Sequence, residues 1–68
     1  MTNLNRALFY AAKAVQVQDG PEARTLFGDV LFSQGNTNAA RKQYQQALSM
    51  NPADEVARSR LQQILGQR

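Results

Sequence analysis

The stretch Pro21–Asp54, PEARTLFGDVLFSQGNTNAARKQYQQALSMNPAD, decides how this chain folds. It holds two amphipathic helical patterns of similar length, hinged at Ser33-Gln34-Gly35-Asn36. Small residues (Gly28, Ala40, Ala47) fall where two helices must approach closely, and large apolar ones (Phe27, Leu31, Tyr44, Leu48) where a core must be filled. A glycine inside a helix costs roughly 1 kcal/mol relative to alanine. Gly28 therefore implies a close neighbour, expected to be the backbone of another helix, that leaves no room for a side chain. Gly35 stops the first of the two helices, Asn36 or Thr37 caps the second, and Asn51-Pro52 ends it, because proline disfavours helical geometry in the residue before it.

Working outward, residues 3–18 carry Leu4, Leu8, Ala11 and Val15 at intervals of three or four, with Ala7 and Ala14 adjoining. Asn3 or Thr2 is the expected cap. Gly20 is expected to take the left-handed conformation that ends a helix, and Pro21 suits the first position of the next. The second helix, 21–34, has Ala23, Phe27, Val30 and Leu31 as inward candidates with Leu26 beside them. The third, 37–50, buries Ala40, Tyr44, Ala47, Leu48 and Met50. A fourth helix is expected from about Ala53 to Leu65, with Asp54 and Glu55 at its positive end and Val56 or Ala57, Leu61, Ile64 and Leu65 as its stripe. Gly66-Gln67-Arg68 should fray. Tight turns between short helices make sequential neighbours antiparallel, so the chain is all-helical.

The chain of 68 residues allows one small domain, and it has neither cysteine nor histidine. Disulfides are excluded, and so are the commonest metal ligands and general bases. Ser33, Ser49 and Ser59 lack an evident base, and Glu22 and Asp29 share a helix face without the logic of an active site. No catalysis and no cofactor are expected. The net charge is +3, but the cations are scattered, with only Arg41-Lys42 and Arg58/Arg60 close together, so no polybasic tract marks a nucleic acid or membrane surface. No apolar run is long enough to span a bilayer, and the Arg6-led start lacks the features of a signal peptide, since Lys13 interrupts it. The compartment is left open, leaning to the cytoplasm.

An internal echo follows. Ala23-Arg24 with Phe27 and Ala57-Arg58 with Leu61 repeat 34 residues apart, the period of a two-helix stacking unit. At this point the chain resembles the tetratricopeptide repeat family. Phe27-Gly28, Leu31, Ala40, Tyr44 and Pro52 stand at that family's spacings. Arg24 departs from the pattern, holding the slot of a large apolar residue, and Arg58 repeats the departure. The resemblance implies antiparallel helical hairpins stacked as a short right-handed solenoid of about four helices. It further implies a single domain over 1–68: a half-repeat helix at 3–18, one complete repeat at 21–54 and a capping helix at 55–68.

The function implied is protein–protein interaction or scaffolding, with a groove that takes a peptide or a partner helix. By the family's pattern that groove is lined by Glu22, Thr25, Asp29, Phe32 and Ser33, with Val56, Ser59, Arg60 and Gln63 from the last helix. Phe32, one residue past the inner stripe, is expected either to face the groove as an anchor or to lie half-buried, covered by the first helix or against Tyr10 or Thr25. The family's clamp for a chaperone's C-terminal carboxylate is not expected, because Thr25 and Asp29 stand where lysine and asparagine are needed and only Arg60 is clamp-like. Phe9 and Tyr10 give the first helix more apolar surface than one neighbour covers, which points to a terminal fragment of a longer protein or to weak self-association as a homodimer. The rival from another class is a small basic helix-turn-helix-like domain that binds nucleic acid, with Arg41, Lys42, Gln43 and Gln45 on the recognition helix.

Overall fold

Alanine dominates the interior of this protein and sets how close its helices lie. The computed structural model describes the backbone of residues 3–66 and the side chains of residues 6–66. It contains α1 (Asn3–Val17), α2 (Pro21–Ser33), α3 (Thr37–Met50) and α4 (Glu55–Gly66). Each helix packs on the next, α2 most extensively on α3, and α2 also touches α4. The arrangement is therefore one of stacked helical hairpins. Its extents of 33 × 31 × 14 Å make a slab, so each helix leaves a face to solvent.

Of the seven buried apolar residues, four are alanines: Ala11, Ala40, Ala47 and Ala57. Leu31 and Ile64 join them, and Tyr44 is the large side chain that is wholly enclosed. Leu8, Phe27, Phe32, Ala39 and Leu61 pack half-buried against the cluster of Leu31, Ala40, Tyr44 and Ile64. Apolar burial of this kind is the main stabilising term in a domain so small. Leu26, Met50, Val56 and Leu65, expected on or beside the inner stripes, lie largely exposed, because a slab offers them no second layer.

Gly28 is buried, but the neighbour that crowds it is a side chain and not a helix backbone. A β-carbon there would meet the Tyr44 ring at 2.6 Å. The expectation of a close backbone is corrected accordingly: the glycine makes a seat for an aromatic ring.

The helix ends follow local chemistry. After α2, Gly35 is left-handed at φ 82°, and Asn36 N–H donates to the Leu31 carbonyl at 2.9 Å while Gly35 N–H donates to that of Phe32 at 3.0 Å. Those two bonds are a Schellman ending, and they need a residue free of β-carbon strain at position 35. Gly20 differs from expectation, being fully extended at φ −177°, ψ 173°, with Pro21 opening α2 directly behind it. Asn36 takes the capping position of α3 without a side-chain hydrogen bond. The last helix begins two residues later than its pattern suggests. Asn51 Oδ1 accepts from Ala53 N–H at 3.2 Å to form a turn through Pro52, and Asp54 Oδ1 then accepts from Val56 N–H (3.1 Å) and Ala57 N–H (3.2 Å). Asp54 is thus the N-cap of α4, satisfying donors that a helix start leaves free. The side chains of Thr2 and Asn3, the expected cap of α1, lie outside the described residues, as do Gln67 and Arg68.

Candidate functional site

A groove of about 1030 Å³ opens between the C-terminal half of α1, the outer face of α2 and the start of α4. From α1 it is lined by Ala14 and Val17, from α2 by Glu22, Thr25, Leu26 and Asp29, and from the α3–α4 connection and α4 by Asn51, Asp54 and Val56. Asp19 and Gly20 of the α1–α2 loop and Pro21 at the start of α2 also line it. Helical spacing explains the composition of its floor: 22, 25, 26 and 29 recur at three and four residues and so share a face of α2.

Four of the nine residues expected in a groove lie in its wall, and five do not. Glu22, Thr25, Asp29 and Val56 stand in this wall. Glu22 is exposed and, among the described residues, without an ion pair. Thr25 is a correction in part. It is buried, at 7 % exposure, and its Oγ1 has no hydrogen-bond partner, so it forms floor and not a reaching contact.

Asp29 and Arg60 are engaged with each other. The Asp29 Oδ1 atom accepts a hydrogen bond from the Tyr44 hydroxyl at 2.5 Å and one from Arg60 Nε at 3.1 Å. One carboxylate oxygen therefore joins α2, α3 and α4. Burial pushes the Tyr44 hydroxyl well above its usual range, and its donation to Asp29 and the negative charge there act in the same direction, while Arg60 opposes them. Both residues, expected as groove contacts, act first as internal fasteners.

Phe32 and Ser33 stand outside this wall. Phe32 lies half-buried against the Leu31–Ala40–Tyr44–Ile64 cluster and is not in the groove wall. Ser33 Oγ donates to the Asp29 backbone carbonyl at 3.0 Å, a bond within its own helix. Ser59 and Gln63 are exposed on α4, beyond the groove wall.

Sequence reasoning passed over Val17, Leu26 and the carboxylates of Asp19 and Asp54. The signal for the first existed: Tyr10, Ala14 and Val17 recur at i, i+4 and i+7, a second stripe on α1 beside the buried one.

Arg24, the residue that departs from the repeat pattern, has a defined task. Its Nε and Nη2 donate to Asp19 Oδ1 and Oδ2, both at 2.8 Å, and its Nη1 donates to Gln43 Oε1 on α3 at 3.0 Å. The guanidinium so ties the α1–α2 loop to α3, with the paired geometry that favours arginine over lysine. That hydrogen bonding is the leading reason Asp19 titrates below the ordinary carboxylate range. Gln43, a candidate for reading bases in the helix-turn-helix reading, is taken up by this contact. Arg58, at the repeated position, makes the comparable reach: its Nη2 donates to the Pro52 carbonyl at 2.8 Å, in the loop before its own helix. Elsewhere on α1, Phe9 and Tyr10 are exposed and meet edge to face, their ring centroids 5.4 Å apart.

No described helix is long and apolar enough to cross a membrane, and no cluster of acidic side chains among the described residues could hold a metal ion. Comparison with curated proteins gives no match, and comparison with solved structures gives none. Comparison with protein families gives one: the TPR repeat profile matches residues 28–65, more than half of the chain. That match starts at the glycine beneath the Tyr44 ring and ends in α4, and it includes Leu31, Ala40, Tyr44, Ala47 and Pro52. Repeats of this kind are in general modules of protein–protein interaction and not of catalysis. On the stacked hairpins, the alanine seams and this match, the chain belongs to the tetratricopeptide repeat family.

Proposed function

We propose that this chain is a protein-interaction module whose groove between α1, α2 and the start of α4 receives an extended peptide or a partner helix. The observation that carries the reading is apolar surface left in water around a concave site. Val17, Leu26 and Val56 line the groove and are 76 %, 49 % and 51 % exposed. Aliphatic side chains left in water gain free energy when a partner covers them, roughly in proportion to the apolar area removed from water. Within the module, residues 21–54 form one complete repeat, 3–18 a preceding half-repeat and 55–68 a capping helix.

The test pairs two variants in a pull-down. Val17→Ser/Leu26→Ser should keep the helical circular dichroism of the parent and lose the proteins that the parent retains. Phe9→Ser, altered away from the groove wall, should retain them. Identical retention by the parent and the Val17/Leu26 variant would remove the groove from consideration.

The exposed Phe9–Tyr10 pair favours a second reading, weak self-association through α1. Sedimentation would show a concentration-dependent mass for the parent, abolished in Phe9→Ser/Tyr10→Ser. A strict monomer at high concentration removes this reading.

A further inference from the structure

Four of the five acidic residues of the chain stand in the wall of this one groove, Asp19, Glu22, Asp29 and Asp54, and no lysine or arginine does. The chain as a whole is cationic, at +3, so the segregation reverses the sign of the protein at one place. The four carboxylates are not equivalent. Asp19 is held by Arg24, and Asp29 by Arg60 and Tyr44, with both arginines outside the groove wall. Glu22 has no ion pair among the described residues, and Asp54 accepts only backbone N–H groups there. The positive ends of α2 and α4 lie beside these two carboxylates and offset each by roughly half a charge, so the groove stays negative. Between the carboxylates the wall is apolar and wet, at Val17, Leu26 and Val56. Tyr10, 60 % exposed, continues the Ala14–Val17 stripe of α1 by one turn.

Resting on the groove reading above, we propose that the occupant is a basic amphipathic protein segment, one that sets lysine or arginine beside aliphatic side chains. Its apolar side chains cover Val17, Leu26 and Val56, and its cations face Glu22 and Asp54. The scattered cations of the rest of the surface repel a long polycation, so the fit is to a segment with a few basic residues interleaved with apolar ones. An acidic segment meets like charge in the wall and is rejected.

Three labelled synthetic peptides of equal length test this, alternating leucine with lysine, with glutamate, and with serine. Fluorescence anisotropy measures affinity, and amide chemical shifts locate the contact. The leucine–lysine peptide should bind several-fold more tightly than the other two, shift the amides of Val17, Leu26 and Val56, and weaken as salt is added. Glu22→Gln, an exposed change that leaves the circular dichroism intact, should weaken it roughly two- to fivefold, the range of one exposed ion pair. Equal or tighter binding of the glutamate or serine peptide at the same amides overturns the charge assignment and leaves the groove reading standing. Undiminished binding by the Glu22→Gln variant does the same. Shifts confined to other surfaces, or none with any peptide, overturn both.

Discussion

The Tyr44 ring occupies the space that a side chain at position 28 would need: a β-carbon on Gly28 would lie 2.6 Å from Cε1 and 2.9 Å from Cδ1 of that ring. The ring cannot swing aside freely, because its hydroxyl is bonded to Asp29. Gly28→Ala gains roughly 1 kcal/mol of helix propensity and loses more by overpacking, which typically costs about 1–3 kcal/mol. A net destabilisation is expected, read as a lower midpoint in thermal unfolding. In a Tyr44→Leu background the same alanine should be neutral or stabilising. Equal effects in the two backgrounds would refute the seat-and-ring account.

Tyr44→Phe removes the hydroxyl and leaves the Asp29 carboxylate to Arg60 and water. The expected loss is about 1.5–3 kcal/mol for a bond to a charged acceptor, toward the low end because Asp29 is partly exposed. Combining it with Asp29→Asn should cost less than the two single losses added together, since both remove the same bond.

The same hydroxyl makes stability depend on alkaline pH. Its value is raised in the folded state above the ordinary 10.0. The contribution is therefore complete below pH 10 and is lost as pH rises from there toward the folded value. Urea unfolding between neutral pH and pH 11 should show a decline that is shallower in Tyr44→Phe. Parallel curves for the two proteins would contradict this.

Asp54→Ala strips the N-cap from α4 and leaves Val56 and Ala57 N–H without that acceptor. The expected cost is about 0.5–2 kcal/mol, and Asp54→Asn or Asp54→Ser should recover most of it. Hydrogen exchange at the first turn of α4 should speed up in the alanine variant before exchange in α2 and α3 does.

Arg24→Lys keeps the charge and loses the fork that holds Asp19 and Gln43. Thermal stability should drop slightly. The acid side carries the sharper sign. Asp19 is depressed below the ordinary 3.8, so its contribution is present above that pH and lost as pH falls through the lower folded value. In Arg24→Lys the Asp19 titration, followed by NMR, should move back up toward 3.8. No movement would mean the paired bonds are not its cause.

The helices and their small-residue seams were legible because apolar spacing, glycine and proline act locally. Both ends of each of the four helices fall within two residues of their patterns. Leu31, Ala40, Tyr44 and Ala47 are buried as their positions imply. What was not legible concerns partners of side chains. The pattern at Gly28 reveals that something comes close, but not that it is a ring. It cannot show that Asp29 is committed to Tyr44 and Arg60, residues 15 and 31 positions away. Phe32 lay one residue off the inner stripe, yet a helix turns only about 100° per residue and a phenylalanine spans that angle to reach the core. The groove residue Leu26 was missed for the opposite reason: its apolar character suggested burial, and only the flatness of the slab leaves it in water.

Arg24 and Arg58 stand 34 residues apart, and each reaches back to the loop just ahead of its own helix, the first to Asp19 and the second to Pro52. Each clasp thus ties the first turn of a helix to the loop that delivers the chain to it, across a separation of only five or six residues. An arginine in the slot of a large apolar residue therefore exchanges buried surface for a joint that fixes where the next helix begins, and sets it with residues close together in sequence.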